Sequence, residues 1–199
     1  YRDSALKPEV VRSGELMRLL VLWSARCEHC QSELPRLMAG HRSLQEAGVE
    51  VLALCVDQIS ESEEAYPLMD GLVQTPPWGF IDPMVLDRLK QLQHALFDKS
   101  LPLTVPFALL LDEDLQALAL YRGGLVPKAI VSDARSLRRA DAESMHHQAP
   151  PLAGRWFTNP VPKSYVAENL ARAFLENLPE TALPYLHLAA EQSSGEKRA

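Results

Sequence analysis

Three consecutive segments constrain this chain more than anything else in it. Met17-Arg18-Leu19-Leu20-Val21-Leu22-Trp23 is a short apolar run that reads as a strand buried on both faces. From Glu28 to about Ala47 the apolar spacing changes to three and four, with Leu34, Leu37, Met38, His41 and Leu44 on one stripe, so a helix follows. Gly48 closes that helix, and Val49–Val56 is a second apolar strand. Strand, helix and strand in this order imply a right-handed crossover between parallel neighbours, and so an α/β sheet. Cys27 falls where the first strand feeds the helix, and Cys30 comes one turn later.

The rest of the chain extends the pattern. An acidic stretch from Ser60 opens a helix that ends before Gly71, and Thr75-Pro76-Pro77-Trp78-Gly79 reads as a loop. Pro83–Phe97 carries Val85, Leu86, Leu89, Leu92 and Leu96 on one stripe, suited to packing on the sheet. Phe107–Leu111 and Leu115–Tyr121 flank Asp112-Glu113-Asp114 as an antiparallel hairpin. Gly123-Gly124 ends it, and a helix over Pro127–Arg139 completes a domain of residues 1–140. Residues 141–162, with Pro150, Pro151, Pro160 and Pro162, read as a linker. Helical patterns at Tyr165–Leu178 and Thr181–Ala190 form a hairpin within 163–192, and 193–199 is a polar tail.

Composition narrows the function. Against 20 Lys and Arg stand 26 Asp and Glu, a net charge of −6 that offers no field for nucleic acid or an anionic membrane. No apolar run approaches the roughly 18 to 20 residues of a membrane-spanning helix. The chain opens Tyr1-Arg2-Asp3-Ser4 with no Met and no signal-like pattern, as a piece of a longer or processed polypeptide would. Its 3 cysteines are too few for a disulfide-stapled scaffold, and Cys55 stands apart from Cys27 and Cys30. The cysteines therefore point to chemistry.

A thiol at a helix N-terminus faces unpaired backbone N–H groups and the positive end of the helix dipole, which favour thiolate. Cys27 is so placed, and Arg26 and a protonated His29 would add positive potential, each unit of pKa lowering being worth about 1.4 kcal/mol. Cys30 lies one turn along on the same face, so its sulfur can reach Cys27 to close or resolve a disulfide. Cys27 is then the attacker and Cys30 the resolver. Two other readings of the pair stand beside this one. It could be half of a zinc site, although only Cys55 and scattered histidines could complete it. It could also be a structural disulfide, although so short a loop removes little chain entropy.

The segment Trp23-Ser24-Ala25-Arg26-Cys27-Glu28-His29-Cys30-Gln31-Ser32-Glu33-Leu34-Pro35 resembles the active-site segment of the thioredoxin superfamily, above all its TlpA/ResA-like branch. Val105-Pro106 matches the superfamily's cis-proline position, and the resemblance covers about residues 10–140. It implies a thioredoxin-like mixed sheet flanked by helices. It also implies a thiol-disulfide oxidoreductase that exchanges a Cys27/Cys30 disulfide with protein thiols or disulfides, served by a redox partner protein and needing no cofactor or metal. Pro106, with Val105 before it, would present backbone to a substrate strand beside the sulfurs. Trp23 and Glu28 would share that substrate face, Glu33 would handle protons near the cysteines, and His29 would tune the couple. Pro35 would kink the helix.

Departures from the pattern matter as well. Val21 stands where thioredoxin itself has a buried aspartate, Arg26 replaces the usual tryptophan, and Leu115 occupies a turn position where glycine is common. His29 resembles the histidine of oxidising relatives, where imidazolium stabilises the reduced thiolate and raises the potential, whereas the TlpA/ResA-like branch implies a reductant. Both directions of electron flow stay open. The branch also implies an extracytoplasmic placement, periplasmic or membrane-tethered. The C-terminal hairpin resembles one tetratricopeptide-like unit, which implies a protein partner. Two alternatives of another class are a redox-inert thioredoxin-like interaction module within a larger repeat protein, and a metal-binding thiol pair.

Overall fold

The computed structural model describes residues 1–97, 103–139, 155–157, 163–175 and 179–196. Most of the stretch expected as a linker, and the end of the expected tail, lie outside these. The chain forms two compact units, residues 1–83 with 104–159 and residues 84–103 with 160–199.

The first unit is built on a mixed seven-stranded sheet. Its strands are β1 (Arg2–Asp3), β2 (Met17–Trp23), β3 (Val49–Cys55), β4 (Trp78–Phe80), β5 (Phe107–Leu111), β6 (Ala117–Arg122) and β7 (Arg155–Phe157), in the order β1-β4-β3-β2-β5-β6-β7. β2 and β3 are parallel with Trp23 opposite Cys55, and β3 and β4 are parallel with Cys55 opposite Phe80. β5 runs antiparallel to β2, and β6 antiparallel to β5. The expected strand-helix-strand core and the hairpin are therefore both present.

The hairpin turn holds Leu115 at φ 63°, a left-handed conformation that usually falls to glycine, so the turn keeps its glycine-type backbone with leucine in that place.

Helices α1 (Glu28–Ala39), α2 (His41–Glu46), α3 (Ala65–Asp70) and α5 (Pro127–Arg139) belong to this unit, with a 3₁₀ turn at Ile59–Glu64 before α3. The single helix expected over 28–47 is broken at Gly40. The ring of Pro127 lies where a Cβ on Gly40 would stand, so the close approach of α5 requires glycine there. Pro35 sits inside α1, which continues past it to Ala39.

Leu19, Val21 and Trp23 from β2, Val51 and Cys55 from β3, and Leu34 and Leu37 from α1 share one core with Ile130 and Ala134 of α5. On the other face of β2, β3 and β5, Leu22, Leu54 and Phe107 are buried too. Each such large apolar side chain contributes about 1.5–3 kcal/mol relative to exposure. Tyr121 and Asp133 are buried among them, and the Tyr121 hydroxyl donates to Asp133 Oδ2 at 3.0 Å, which ties β6 to α5.

Three strands lie where the sequence patterns show none. Trp78–Phe80, expected as part of a loop, is β4, and it is flanked by β3 and by the two-residue β1. Gly79 makes that edge pairing possible, because the backbone carbonyl of Arg2 occupies the place a Cβ would take. β7 falls within the stretch expected as a linker and pairs with β6.

The second unit contains most of α4 (Pro83–Phe97) together with α6 (Lys163–Leu175) and α7 (Pro179–Glu196). Residues 84–97, expected to pack on the sheet of the first domain, thus group with the C-terminal helices. The small residues Ala167, Ala171 and Ala182 are buried, and the rings of Phe174 and Tyr185 stack at 6.1 Å, so α6 and α7 form a helical hairpin. α7 runs to Glu196, beyond the expected start of the tail.

Candidate active site

β2 ends at Trp23 and β3 at Cys55, side by side, so the residues that follow each strand meet at one edge of the sheet. Such edges, at the carboxyl ends of parallel strands, are where α/β sheets place reactive groups. Ser24, Ala25 and Arg26 cross this edge and deliver Cys27 to the N-cap of α1, with extended backbone at φ −91° and ψ 109°.

The Cys27 sulfur accepts the backbone N–H of Cys30 at 3.2 Å, one of the otherwise unpaired donors of the first turn of α1. Its thiol also faces the carbonyl oxygen of Val105 at 3.5 Å. The Val105-Pro106 peptide bond is cis, and Pro106 is buried while Val105 is half-buried. Cys27 itself is half-buried, and Cys30 is 0% exposed. Burial pushes the Cys30 thiol well above its ordinary value, and a hydrogen bond to the Cys27 sulfur raises it further. The two thiols are therefore hydrogen-bonded neighbours, Cys27 partly exposed and Cys30 fully buried. All three cysteines are free thiols.

Other expected site residues are distributed differently. Glu28 and His29 are exposed on the first turn of α1. Trp23, expected at the substrate face, is instead 0% exposed and cannot meet a visiting chain. It is wedged beneath the site, its ring 6.2 Å from that of Trp78, which in turn lies 5.1 Å from Tyr66 and 5.6 Å from Phe80. Arg26 reaches Glu64 at 3.7 Å with both side chains more than half exposed, a pair worth little in water. Glu33, one turn beyond Cys30, is half-buried. Its carboxylate accepts the backbone N–H groups of Gly124 and Leu125 at 3.1 and 3.0 Å.

Asp57 is the residue that sequence reasoning missed. Its Oδ1 accepts the Ser24 hydroxyl at 2.7 Å, and its Oδ2 accepts the Ala25 N–H at 2.8 Å and the Cys55 thiol at 3.4 Å. The Ser24 hydroxyl oxygen in turn accepts the Arg26 N–H at 3.1 Å, and the Gln31 side-chain amide donates to Ala25 O at 2.6 Å. The loop that delivers Cys27 is thus held on one side by Asp57, just past the end of β3, and on the other by Gln31 of α1. The available signal was positional, an acidic residue two places after the end of a strand parallel to β2. Cys55 is buried as expected of a core residue, and its thiol is pushed up to about 12 by burial, with the Asp57 backbone N–H opposing the rise and the Asp57 carboxylate adding to it.

Among the described residues no group of three or more His, Cys, Asp or Glu side chains is placed to hold a metal ion. Among them, too, no helix is long and apolar enough to cross a membrane.

No protein-family profile matches the sequence, and no curated protein matches it by sequence. Solved structures do match. A thioredoxin-related protein from Neisseria meningitidis serogroup B superposes with a TM-score of 0.53 at 13% identity, covering 68% of this chain and 95% of that one. StoA from Bacillus subtilis superposes with a TM-score of 0.49 at 15% identity, covering 66% and 92%. A secreted thiol-disulfide isomerase from Corynebacterium glutamicum superposes with a TM-score of 0.48 at 23% identity, covering 62% and 71%. The likeness to the first, together with the mixed sheet and its flanking helices, establishes a thioredoxin-like fold.

Proposed function

We propose that the chain is a thiol-disulfide oxidoreductase in which Cys27 attacks and Cys30 resolves. The observation that carries this reading is the arrangement of the two sulfurs. A half-buried Cys27 sulfur sits at the N-cap of α1 beside the carbonyl of Val105 in the cis Val105-Pro106 segment, hydrogen-bonded to a buried Cys30 thiol.

In the reducing direction the Cys27 thiolate attacks one sulfur of a client disulfide. The client S–S bond breaks, the second client sulfur leaves as thiolate and takes up a proton, and Cys27 is held in a mixed disulfide. Cys30 then gives up its proton and attacks the Cys27 sulfur, which releases the other client thiolate and leaves a Cys27-Cys30 disulfide. The client gains two electrons and the domain loses two, to be returned by a redox partner protein. Run in reverse, the same steps oxidise a client dithiol. A protonated Cys30 suits a group that must wait until the mixed disulfide has formed. Val105 offers its backbone to an extended client segment, as an unpaired strand edge would.

The TlpA/ResA-like character of the cysteine segment and the need for a disulfide-permissive environment support an extracytoplasmic setting. In this reading the hairpin of α6 and α7 contributes contacts to a protein partner, as a tetratricopeptide-like unit would, through exposed Leu183, Leu186 and Leu188. Reduction of insulin by dithiothreitol tests the activity: the chain should accelerate it, and Cys27→Ser should abolish the acceleration. Equal rates with and without the chain would refute the reading.

A further inference from the structure

The carboxylate of Glu33 is turned toward a loop, and both of its oxygens are engaged by backbone. Gly124 and Leu125 each donate an N–H to a different oxygen, at 3.1 and 3.0 Å. The loop leaves β6 through Gly123 at φ 72° and Gly124 at φ 61°, two left-handed residues in succession that only glycine adopts without strain. Successive amides in such turns can converge on one anion, and here the anion is the Glu33 side chain.

The same loop has a second tie, since the Gly123 N–H donates to Pro106 O at 2.9 Å. Pro106 follows Val105, whose carbonyl meets the Cys27 sulfur. The contacts therefore close a circuit from α1 through Cys27 to the cis segment, on to the loop, and back to α1 through Glu33. Val126, the last residue before α5, is 52% exposed at the end of that loop. Without Glu33 the loop would lose its two ties to α1 and keep the one to Pro106.

We infer that Glu33 is a positioning residue for client binding: it clamps the Gly123–Val126 loop to the cysteine helix and so sets how an extended polypeptide seats beside Cys27. A proton carrier for the cysteines needs a carboxylate free to turn between partners, whereas this one is held by two fixed donors. The inference rests on the redox reading above, and its test separates the two.

Three chains are compared, the parent, Glu33→Gln and Glu33→Asp, with a short synthetic peptide carrying one intramolecular disulfide as client. Gln keeps one acceptor and sets an amide against the other N–H. Asp keeps the charge but is one methylene too short to span both donors. Both variants should raise KM about tenfold, the worth of roughly one charge-assisted hydrogen bond, and leave kcat within about twofold. The pH profile of Cys27 alkylation should match the parent in both. Hydrogen exchange at the Gly124 and Leu125 amides should quicken in both, with the Gly123 amide still protected by Pro106.

Parent-like KM in Glu33→Asp would overturn the inference, because charge alone would then suffice. A shifted alkylation profile with unchanged KM in Glu33→Gln would overturn it in favour of proton handling. If the parent itself turned over no peptide, the redox reading would fail first. The clamp would then stand or fall on the exchange of Gly124 and Leu125 alone.

Discussion

The backbone N–H of Cys30 points at the sulfur of Cys27 across 3.2 Å, so the first turn of α1 solvates one cysteine with the amide of the other. Helix geometry thereby gives the two thiols opposite surroundings. Cys27 takes the amide donor and the partly exposed position, and Cys30 takes burial.

Alkylation should report that division. With all thiols reduced at mildly alkaline pH, iodoacetamide should modify Cys27 at least about tenfold faster than Cys30 or Cys55, because burial both raises those two thiols and shields them. Peptide mapping by mass spectrometry over a time course checks this. Equal rates at Cys27 and Cys30 would contradict it.

Alkaline pH should weaken the reduced fold. Burial raises the Cys55 thiol from 9.0 to about 12, and Cys30 is raised for the same first reason. An unfolded chain ionises these thiols at their ordinary value, so the stabilisation is complete below about 9 and is lost as pH climbs from there through the folded value. Urea unfolding at stepped pH should show the free energy falling over this window. Cys55→Ala should flatten the fall by up to about 1.4 kcal/mol per pH unit. An identical slope in the variant would contradict the assignment.

Asp57→Asn should loosen the loop ahead of Cys27. Asparagine can still accept the Ser24 hydroxyl, but its amide then opposes the Ala25 N–H, so a loss of about 1–3 kcal/mol is expected. Chemical denaturation of the reduced protein measures it. A change within about 0.5 kcal/mol, the range of ordinary surface substitutions, would show that the three-donor arrangement adds nothing.

Gly79→Ala tests the sheet edge. Its methyl group would overlap the Arg2 carbonyl, so β1 should detach from β4 at a cost of about 1–3 kcal/mol. Faster amide exchange confined to the β1–β4 pairing would confirm the placement, and unchanged exchange with unchanged stability would contradict it.

What could be read from the sequence follows physical lines. β2, α1 and β3 announce themselves because long apolar runs and a three-four spacing are local signals, and Cys27 and Cys30 sit at their junction. β1, β4 and β7 have two or three residues each, too few to show a period, and they exist only through the partner strand beside them. Pro76 and Pro77 masked β4 by marking the approach to it as a loop.

The need for glycine at the junction of α1 and α2 was hidden because Pro127, which packs against Gly40, lies far along the chain. The partners of Asp57 and Glu33 were hidden for the same reason. Asp57 reaches Ser24 only because β2 and β3 are in parallel register, and Glu33 meets Gly124 across a separation of 91 residues. The motif marked the candidate cysteines, and the fold alone supplied what holds them.

The most direct measurement is the equilibrium of the chain with graded ratios of reduced and oxidised glutathione, quenched by alkylation and read by mass spectrometry. Cys27 and Cys30 should pass together from two alkylated thiols to one intramolecular disulfide in a single two-electron transition, while Cys55 stays reduced throughout. If Cys27 and Cys30 remain alkylatable at every ratio, or if Cys55 oxidises in place of either, the account is wrong.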